Sequence, residues 1–282
     1  MEKITSLQNG LIKKAQALRE ARGRRDAGMT IMDGAREIKR AFEAGIILTQ
    51  VFYVKGQQES LLKQLSAKKI EFVEVSDRVM EKLAYGQRHE GIIAVIRTPF
   101  LALKDLKLSA QPLVVVLESL EKPGNLGAVL RTCDGAGVEA ILVCEPQTDV
   151  YNPNVIRSST GAVFSIPVVC ASSWEISSFL KSSSSYRTLA DARKIRICAS
   201  TPAAPKLYTQ TDFKGAWALV LGSETHGLSD FWLRQADVTV KIPMNGLADS
   251  LNVSTSAAII LYEALRQRQM ESYKSQNTNY KQ

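Results

Sequence analysis

The stretch LEKPGNLGAVLRTCDGAG, residues 120–137, spaces Gly124, Gly127, Gly135 and Gly137 along a short apolar segment with Asn125 and Arg131 at its centre. A glycine-rich turn leading into a helix can cradle phosphate, because backbone N–H groups come close to an anion where no Cβ intervenes. The dinucleotide fingerprint, however, requires G-x-G-x-x-G and an acidic residue about 20 positions later. Here Gly124 and Gly127 are three apart, and no Gly-Lys-Ser/Thr follows to make a P-loop. What remains is a strand ending at Glu118, a Pro-Gly turn and a helix starting near Asn125, a residue type that caps helices well. Arg131 lies less than two turns along that helix. Taken alone, the pair reads equally as a cap with a surface ion pair.

Two further stretches carry polar groups at strand ends. LVLGSETHGLS (219–229) runs an apolar strand into a glycine turn bearing Glu224. KIPMNGLADSLNVSTSAAIILYEALR (241–266) passes from a strand through an irregular loop into a helix opening at Ser250-Leu-Asn-Val-Ser254. The two histidines, His89 and His226, stand in different halves, so no Ser-His-Asp arrangement follows, and GSETHG is not the G-x-S-x-G elbow of hydrolases. Cys133, Cys144, Cys170 and Cys198 are scattered without a C-x-x-C pair and read as reduced core thiols. No carboxylate pair or Cys/His cluster calls for a metal.

The elements that must position these residues divide into two α/β halves. At 282 residues, 45% hydrophobic and 23% charged, the chain holds enough apolar material for one large domain or two modest ones. No apolar run reaches the length of about 20 residues that spans a bilayer, and the first residues lack the apolar core of a secretory signal, so a cytoplasmic location is expected. Residues 1–98 alternate helices (DGAREIKRAFEAG, ESLLKQLSAKK, DRVMEKLAYG) with strands (LTQVFYVK, EFVEVS, GIIAVIR), with a glycine-containing turn after the first helix. Residues 99–111 read as a linker, from Pro99 to Pro112. LVVVLES, AILVCE, FSIPVV, ALVLGSE and VTVKIPM are then short apolar runs of the kind found in buried parallel strands, so residues 112–270 are expected to form an open parallel sheet binding ligands at the carboxyl ends of its strands. KSSSSY reads as a surface turn, and residues 271–282 as a polar, frayed tail.

The net charge of +8 admits a nucleic-acid partner. Residues 1–99 carry 18 Lys and Arg against 12 Asp and Glu, whereas the rest carry 18 against 16. LIKKAQALREARGRRDAG reads as one amphipathic helix presenting Lys13, Lys14, Arg22, Arg24 and Arg25. These residues, with Arg36, are the candidate RNA contacts. The bland reading, a solvated helix face, stands beside it.

Taken together and in this order, PGNLGAVLRTCDGAG, LVLGSETHGLS and IPMNGLADSLNVSTSAAIILYEA resemble the three motifs of the SpoU/TrmH family, the RNA 2′-O-ribose methyltransferases of the SPOUT superfamily. ITSLQN, ARGRRDAGMTIMDGAREI and RHEGIIAVI resemble more loosely the substrate-binding domain of its ribosomal-RNA members, with Glu90 where Gln is more usual and Asp33 where Glu is common. The resemblance implies a trefoil-knotted catalytic domain, a homodimer and S-adenosylmethionine as methyl donor. By motif position it places the cofactor on Gly222, Ile242 and Leu251. Arg131 and Ser250 would then stand at the reacting hydroxyl, with Asn125, Glu224 and Asn252 fixing the arginine and the ribose. Because an arginine guanidinium stays protonated at ordinary pH, Arg131 is expected to clamp the target phosphate and orient the hydroxyl. Transfer RNA as substrate, or a non-catalytic RNA-binding protein of the same fold, are the alternatives; the basic N-terminal domain favours ribosomal RNA.

Overall fold

The computed structural model describes residues 3–84, 89–182 and 194–279, with side chains as far as 269. Most of the KSSSSY stretch lies outside the described residues. Two compact units form, one of residues 1–100 with 149–165 and the other of residues 101–148 with 166–282. In chain order the helices are α1 (Gly10–Ala17), α2 (Ala21–Ala27), α3 (Ala35–Glu43), α4 (Glu59–Leu65), α5 (Asp77–Leu83), α6 (Pro123–Ala136), α7 (Pro153–Ser158), α8 (Ser173–Lys181), α9 (Asp230–Gln235) and α10 (Val253–Asn279).

The first unit is built on strands β1 (Met29–Asp33), β2 (Leu48–Tyr53), β3 (Glu71–Glu74) and β4 (Ile92–Arg97), ordered β1-β4-β2-β3. β4 is antiparallel to β1 and β2, and β3 is parallel to β2. One face of this sheet packs Ile31, Phe52, Val73, Ile93 and Val95 against α1 and α5 through Ile12, Leu18, Met80 and Leu83. The sequence places the β1 residues in a glycine-containing turn, and the structure makes them a strand. Met-Thr-Ile-Met-Asp has no continuous run of β-branched residues to announce a strand; pairing with β4 over Met29↔Arg97 to Asp33↔Ile93 supplies its hydrogen bonds.

The single basic helix expected over residues 11–28 is two helices broken at Leu18–Glu20. At Gly23 a Cβ would stand 2.0 Å from the Ala17 carbonyl oxygen, so the two helices meet backbone to backbone where only glycine fits. Arg24 fills the break from inside. It is 4% exposed, its Nη1 donates to the carbonyls of Leu18 (3.1 Å) and Arg19 (2.7 Å), and its Nε donates to Asp149 Oδ2 at 2.6 Å. This corrects its reading as an RNA contact, because a buried guanidinium spent on three internal acceptors has nothing to offer a phosphate. Lys13, Lys14, Arg22, Arg25 and Arg36 are exposed.

Asp149 belongs to a segment that lies, in sequence, inside the expected catalytic domain but packs on the first unit. Thr30 Oγ1 donates to the Tyr151 carbonyl (2.8 Å), Arg40 Nη1 to the Thr160 carbonyl (2.9 Å), and Arg157 pairs with Asp33 at 3.1 Å. Buried Val155, Ile156 and Val163 add apolar packing, with α7 against β1, but an apolar pattern in the sequence does not say which unit it packs on.

The second unit is a seven-stranded sheet of β5 (Leu113–Glu118), β6 (Ala140–Cys144), β7 (Val168–Cys170), β8 (Arg196–Ser200), β9 (Lys206–Leu207), β10 (Trp217–Leu221) and β11 (Val238–Lys241). The order is β7-β6-β5-β10-β8-β11-β9, with parallel pairing throughout. All of β5, β6 and β10 is buried, as their continuous apolar runs require of strands covered on both faces. Each such Val or Leu contributes about 1.5–3 kcal/mol. β8, unread from the sequence, lies between β10 and β11. The residues expected as a linker are partly packed here: Leu106 is 3% exposed in this core, with Leu101, Leu103 and Leu108 against it. α10 continues to Asn279, past residue 270 where the domain was expected to end. Among the described residues no helix is long and apolar enough to cross a membrane.

Candidate active site

Strand order reverses beside β5: from it β6 and β7 step one way, while β10, β8 and β11 lie on the other side. Crevices at the carboxyl ends of parallel strands on either side of such a reversal are where open α/β sheets bind ligands. A cleft of about 520 Å³ opens there, lined by residues following β8 (Ser200–Pro202), β10 (Leu221–Leu228) and β11 (Ile242, Met244), by Asp249–Val253 before α10, and by Lys122 and Asn125 at the start of α6.

The turn after β10 is closed on itself. Ser223 and Gly227 exchange backbone hydrogen bonds at 3.1 and 3.0 Å, and the His226 N–H donates to Ser223 Oγ at 3.0 Å. A Cβ at Gly222 would stand 2.2 Å from the Gly227 carbonyl, so glycine is required for the chain to double back here. The result is exposed backbone at the cleft wall, with Ile242 and Leu251 as apolar surface beside it.

Polar side chains join across the cleft from three segments. Asn252 Nδ2 donates to Asn125 Oδ1 at 3.2 Å, and Asn125 Nδ2 donates in turn to Glu224 Oε1. Asn252 Oδ1 is held from behind by the N–H (2.9 Å) and hydroxyl (2.7 Å) of Ser254. At the far end Glu224 Oε2 is buried with no hydrogen-bond partner among the described residues. An orphaned carboxylate oxygen costs free energy unless a ligand donor meets it.

Two expectations about local structure are corrected. Asn125 does not cap α6: Lys122 takes that position, Pro123 starts the helix, and Asn125 in the first turn turns its amide into the cleft. Ser250 does not open α10, which starts at Val253. Four of the five candidate catalytic residues, Asn125, Glu224, Ser250 and Asn252, line the cleft, as do Gly222, Ile242 and Leu251. Arg131 does not. Six residues along an α-helix advance about 9 Å and turn the side chain about 120° away, and Arg131 is exposed on the outer surface of α6. Lys122, Thr201 and Met244 line the cleft without having been singled out. Thr201 was hidden because β8 was, and Lys122 because a lysine before Pro-Gly reads as ordinary turn polarity.

Burial pushes the Cys144 thiol up to about 11 and Cys198 up to about 12, and raises Cys133 further, so these three are inert packing groups rather than nucleophiles.

Residues 112–262 of the chain match the model of the SpoU rRNA Methylase family, and residues 9–94 match that of the MRM3-like substrate binding domain. The chain belongs to the SpoU rRNA methylase family. A 23S rRNA (uridine(2479)-2′-O)-methyltransferase of Streptomyces viridochromogenes is 32% identical over 277 residues, covering 94% of this chain and 92% of that protein. A 23S rRNA (guanosine-2′-O-)-methyltransferase of Haemophilus ducreyi is 31% identical, covering 78% and 90%. Among solved structures, an RNA 2′-O ribose methyltransferase superposes with a TM-score of 0.79 at 41% identity, covering 94% of this chain and 99% of that one. An AdoMet-bound rRNA methyltransferase from Sinorhizobium meliloti superposes with a TM-score of 0.84 at 25% identity, covering 94% and 97%. In this SpoU chain the three motifs read from the sequence therefore meet in one cleft, with Arg131 alone of the catalytic candidates outside it.

Proposed function

We propose that this chain methylates a ribose 2′-hydroxyl of ribosomal RNA, of the 23S type, with S-adenosylmethionine as methyl donor. The observation that carries the reading is the chain Asn252–Asn125–Glu224 joining all three motifs across a cleft whose walls suit an adenosine: turned-back backbone at Gly222, apolar surface at Ile242 and Leu251, and a buried carboxylate oxygen still to be met. Bound there, the donor supplies an electrophilic methyl group on a positively charged sulfur.

The protein's part is to place the nucleophile. A neutral hydroxyl attacks poorly, and holding it in line with the methyl recovers much of the barrier as orientation already fixed on binding. Asn125 and Asn252, locked by their mutual hydrogen bond and by Ser254, act as rigid positioning groups. Ser250, on the cleft rim, can hydrogen-bond the ribose. Arg131 clamps the phosphate next to the target and orients the hydroxyl, working through charge and position.

That role supports a homodimer. With Arg131 on the outer face of α6, away from its own cleft, a second copy bringing the arginine to its partner's cleft completes the site. The exposed Tyr262 (51%) on α10, which packs on α6, gives such a contact apolar surface. The parallel order β5-β10-β8-β11 with α10 returning to α6 is compatible with the trefoil knot of the family. The basic first unit favours ribosomal over transfer RNA, and the location is cytoplasmic.

The test is transfer of label from methyl-labelled S-adenosylmethionine into unmodified ribosomal RNA and, separately, bulk tRNA. Label in ribosomal RNA alone supports the reading. Label in tRNA alone transfers it to the tRNA alternative, and cofactor binding without transfer to either favours an RNA-binding protein.

A further inference from the structure

One side of the first unit's sheet carries Ile31, Phe52, Val73 and Ile93, with polar side chains at Asp33 on β1, which pairs with Arg157, and at one further place on β2 and β3. Across the four strands, register aligns Ile31, Val95, Gln50 and Glu71 in one row, and the last two are polar. A glutamine and a glutamate on the face that elsewhere packs Phe52, Val73 and Ile93 violate the pattern that builds the sheet, and such violations concentrate at functional sites. A groove of about 490 Å³ lies over them, walled by Leu11, Lys14 and Leu18 on one side and by the α2 end around Gly23 and Ala27 on the other.

The pair has a defined chemistry. Gln50 Nε2 donates to Glu71 Oε2 at 2.6 Å, so the amide nitrogen faces the carboxylate and Gln50 Oε1 and Glu71 Oε1 remain as acceptors. The groove thus offers apolar walls and a floor with two acceptors, beside the second Gln50 N–H and the Thr49 hydroxyl, which is spent on the Val95 carbonyl, with Lys14 at the rim. Its helices present Lys13, Lys14, Arg22 and Arg25 to solvent, which complements a phosphate backbone.

We infer that this groove takes one unstacked base from a single-stranded part of the RNA substrate, and that the base is guanine. Sequence-specific RNA recognition works largely on bases splayed out of loops and read on their Watson–Crick edges. Guanine alone presents two adjacent donors there, N1–H and the 2-amino group, to match two acceptors. Adenine, cytosine and uracil each bring one donor and would set an acceptor of their own against the carboxylate. The inference rests on the RNA reading of the first unit proposed above.

The test uses the full chain and short uridine-rich RNAs carrying one guanosine, inosine or adenosine, with affinities from fluorescence anisotropy. Inosine lacks only the 2-amino group. The groove predicts that wild type binds the guanosine RNA about tenfold more tightly than the other two, the scale of a good bidentate contact. Glu71→Leu should remove that preference while leaving S-adenosylmethionine binding unchanged. Ala27→Phe, at an exposed wall position, should weaken the guanosine RNA towards the affinity of the others, and it decides the matter if Glu71→Leu melts early. No preference in wild type, or a preference that survives Ala27→Phe, overturns the inference. So does a change of sedimenting mass in Ala27→Phe without any effect on RNA, which would make the groove a self-association surface. Loss of guanosine preference with ribosomal-RNA methylation intact in wild type separates failure of this inference from failure of the methyltransferase reading.

Discussion

At the scale of single residues, two neighbours in one basic run have opposite roles. Arg24 is buried in an ion pair with Asp149, and Arg22 and Arg25 are exposed. Arg24→Ala should cost about 3 kcal/mol in denaturant unfolding, since it strands a carboxylate and two carbonyls. Arg22→Ala and Arg25→Ala should leave stability within about 0.5 kcal/mol, yet each should flatten the salt dependence of single-stranded RNA affinity by about 0.7 in the log–log slope, as one lost phosphate contact does. In the cleft, Gly222→Ala should weaken S-adenosylmethionine binding at least tenfold by calorimetry, because the turn after β10 must open to admit a Cβ. Gly124→Ala, where a Cβ meets nothing within 4 Å, is the matched control. Residue identities were the most readable level: Asn125, Glu224, Ser250, Asn252, Gly222, Ile242 and Leu251 reach one cleft from segments up to 127 residues apart. What their types could not convey is facing. Charge looks the same in Arg22 and Arg24, and only the helix break at Leu18–Glu20 decides which one turns inward.

Among the elements, those with long apolar runs were readable and those fixed by pairing were not. β5, β6 and β10 announce themselves through continuous Val and Leu, whereas β8 (Arg-Ile-Cys-Ala-Ser) follows a serine-rich stretch and has no run to see. Its place is secured in part by Asp237, just before β11, whose carboxylate accepts from the Ile197 N–H at 2.8 Å and from Lys194 Nζ at 2.6 Å. Burial raises this carboxyl, but the Lys194 and Ile197 hydrogen bonds outweigh it and hold the group below its ordinary range. A lowered folded value stabilises above the unfolded carboxylate range and loses that contribution as pH falls through the folded value. Asp237→Asn should therefore destabilise the protein by about 1 kcal/mol at neutral pH and show no difference from wild type once acid has protonated the carboxyl. Denaturant melts at the two pH values make the comparison.

For the whole molecule, the chain's division between units is not linear, since residues 149–165 complete the first unit from within the second half. A linear boundary at residue 98 follows composition, and composition is blind to a return made through Asp149, Tyr151 and Thr160. The dimer proposal has its own consequence at this scale. If Arg131 serves the partner's cleft, Arg131→Ala and Ser250→Ala, each inactive alone, should regain up to about a quarter of wild-type activity when mixed and reassociated, because half of the random pairs are mixed and each mixed pair has one intact site. If both residues serve the same cleft, the mixture stays inactive.

The central claim is that the product is a ribose methyl ether made in this cleft. The measurement that tests it most directly is alkaline cleavage of ribosomal RNA labelled from S-adenosylmethionine by wild type, Asn125→Ala and Arg131→Ala, since a 2′-O-methyl blocks cleavage at its own linkage. Wild type should give label confined to one alkali-resistant dinucleotide, and both variants should lose it while each still binds the cofactor. Label on a base, released with alkali-sensitive nucleotides, or transfer undiminished in Asn125→Ala, would contradict it.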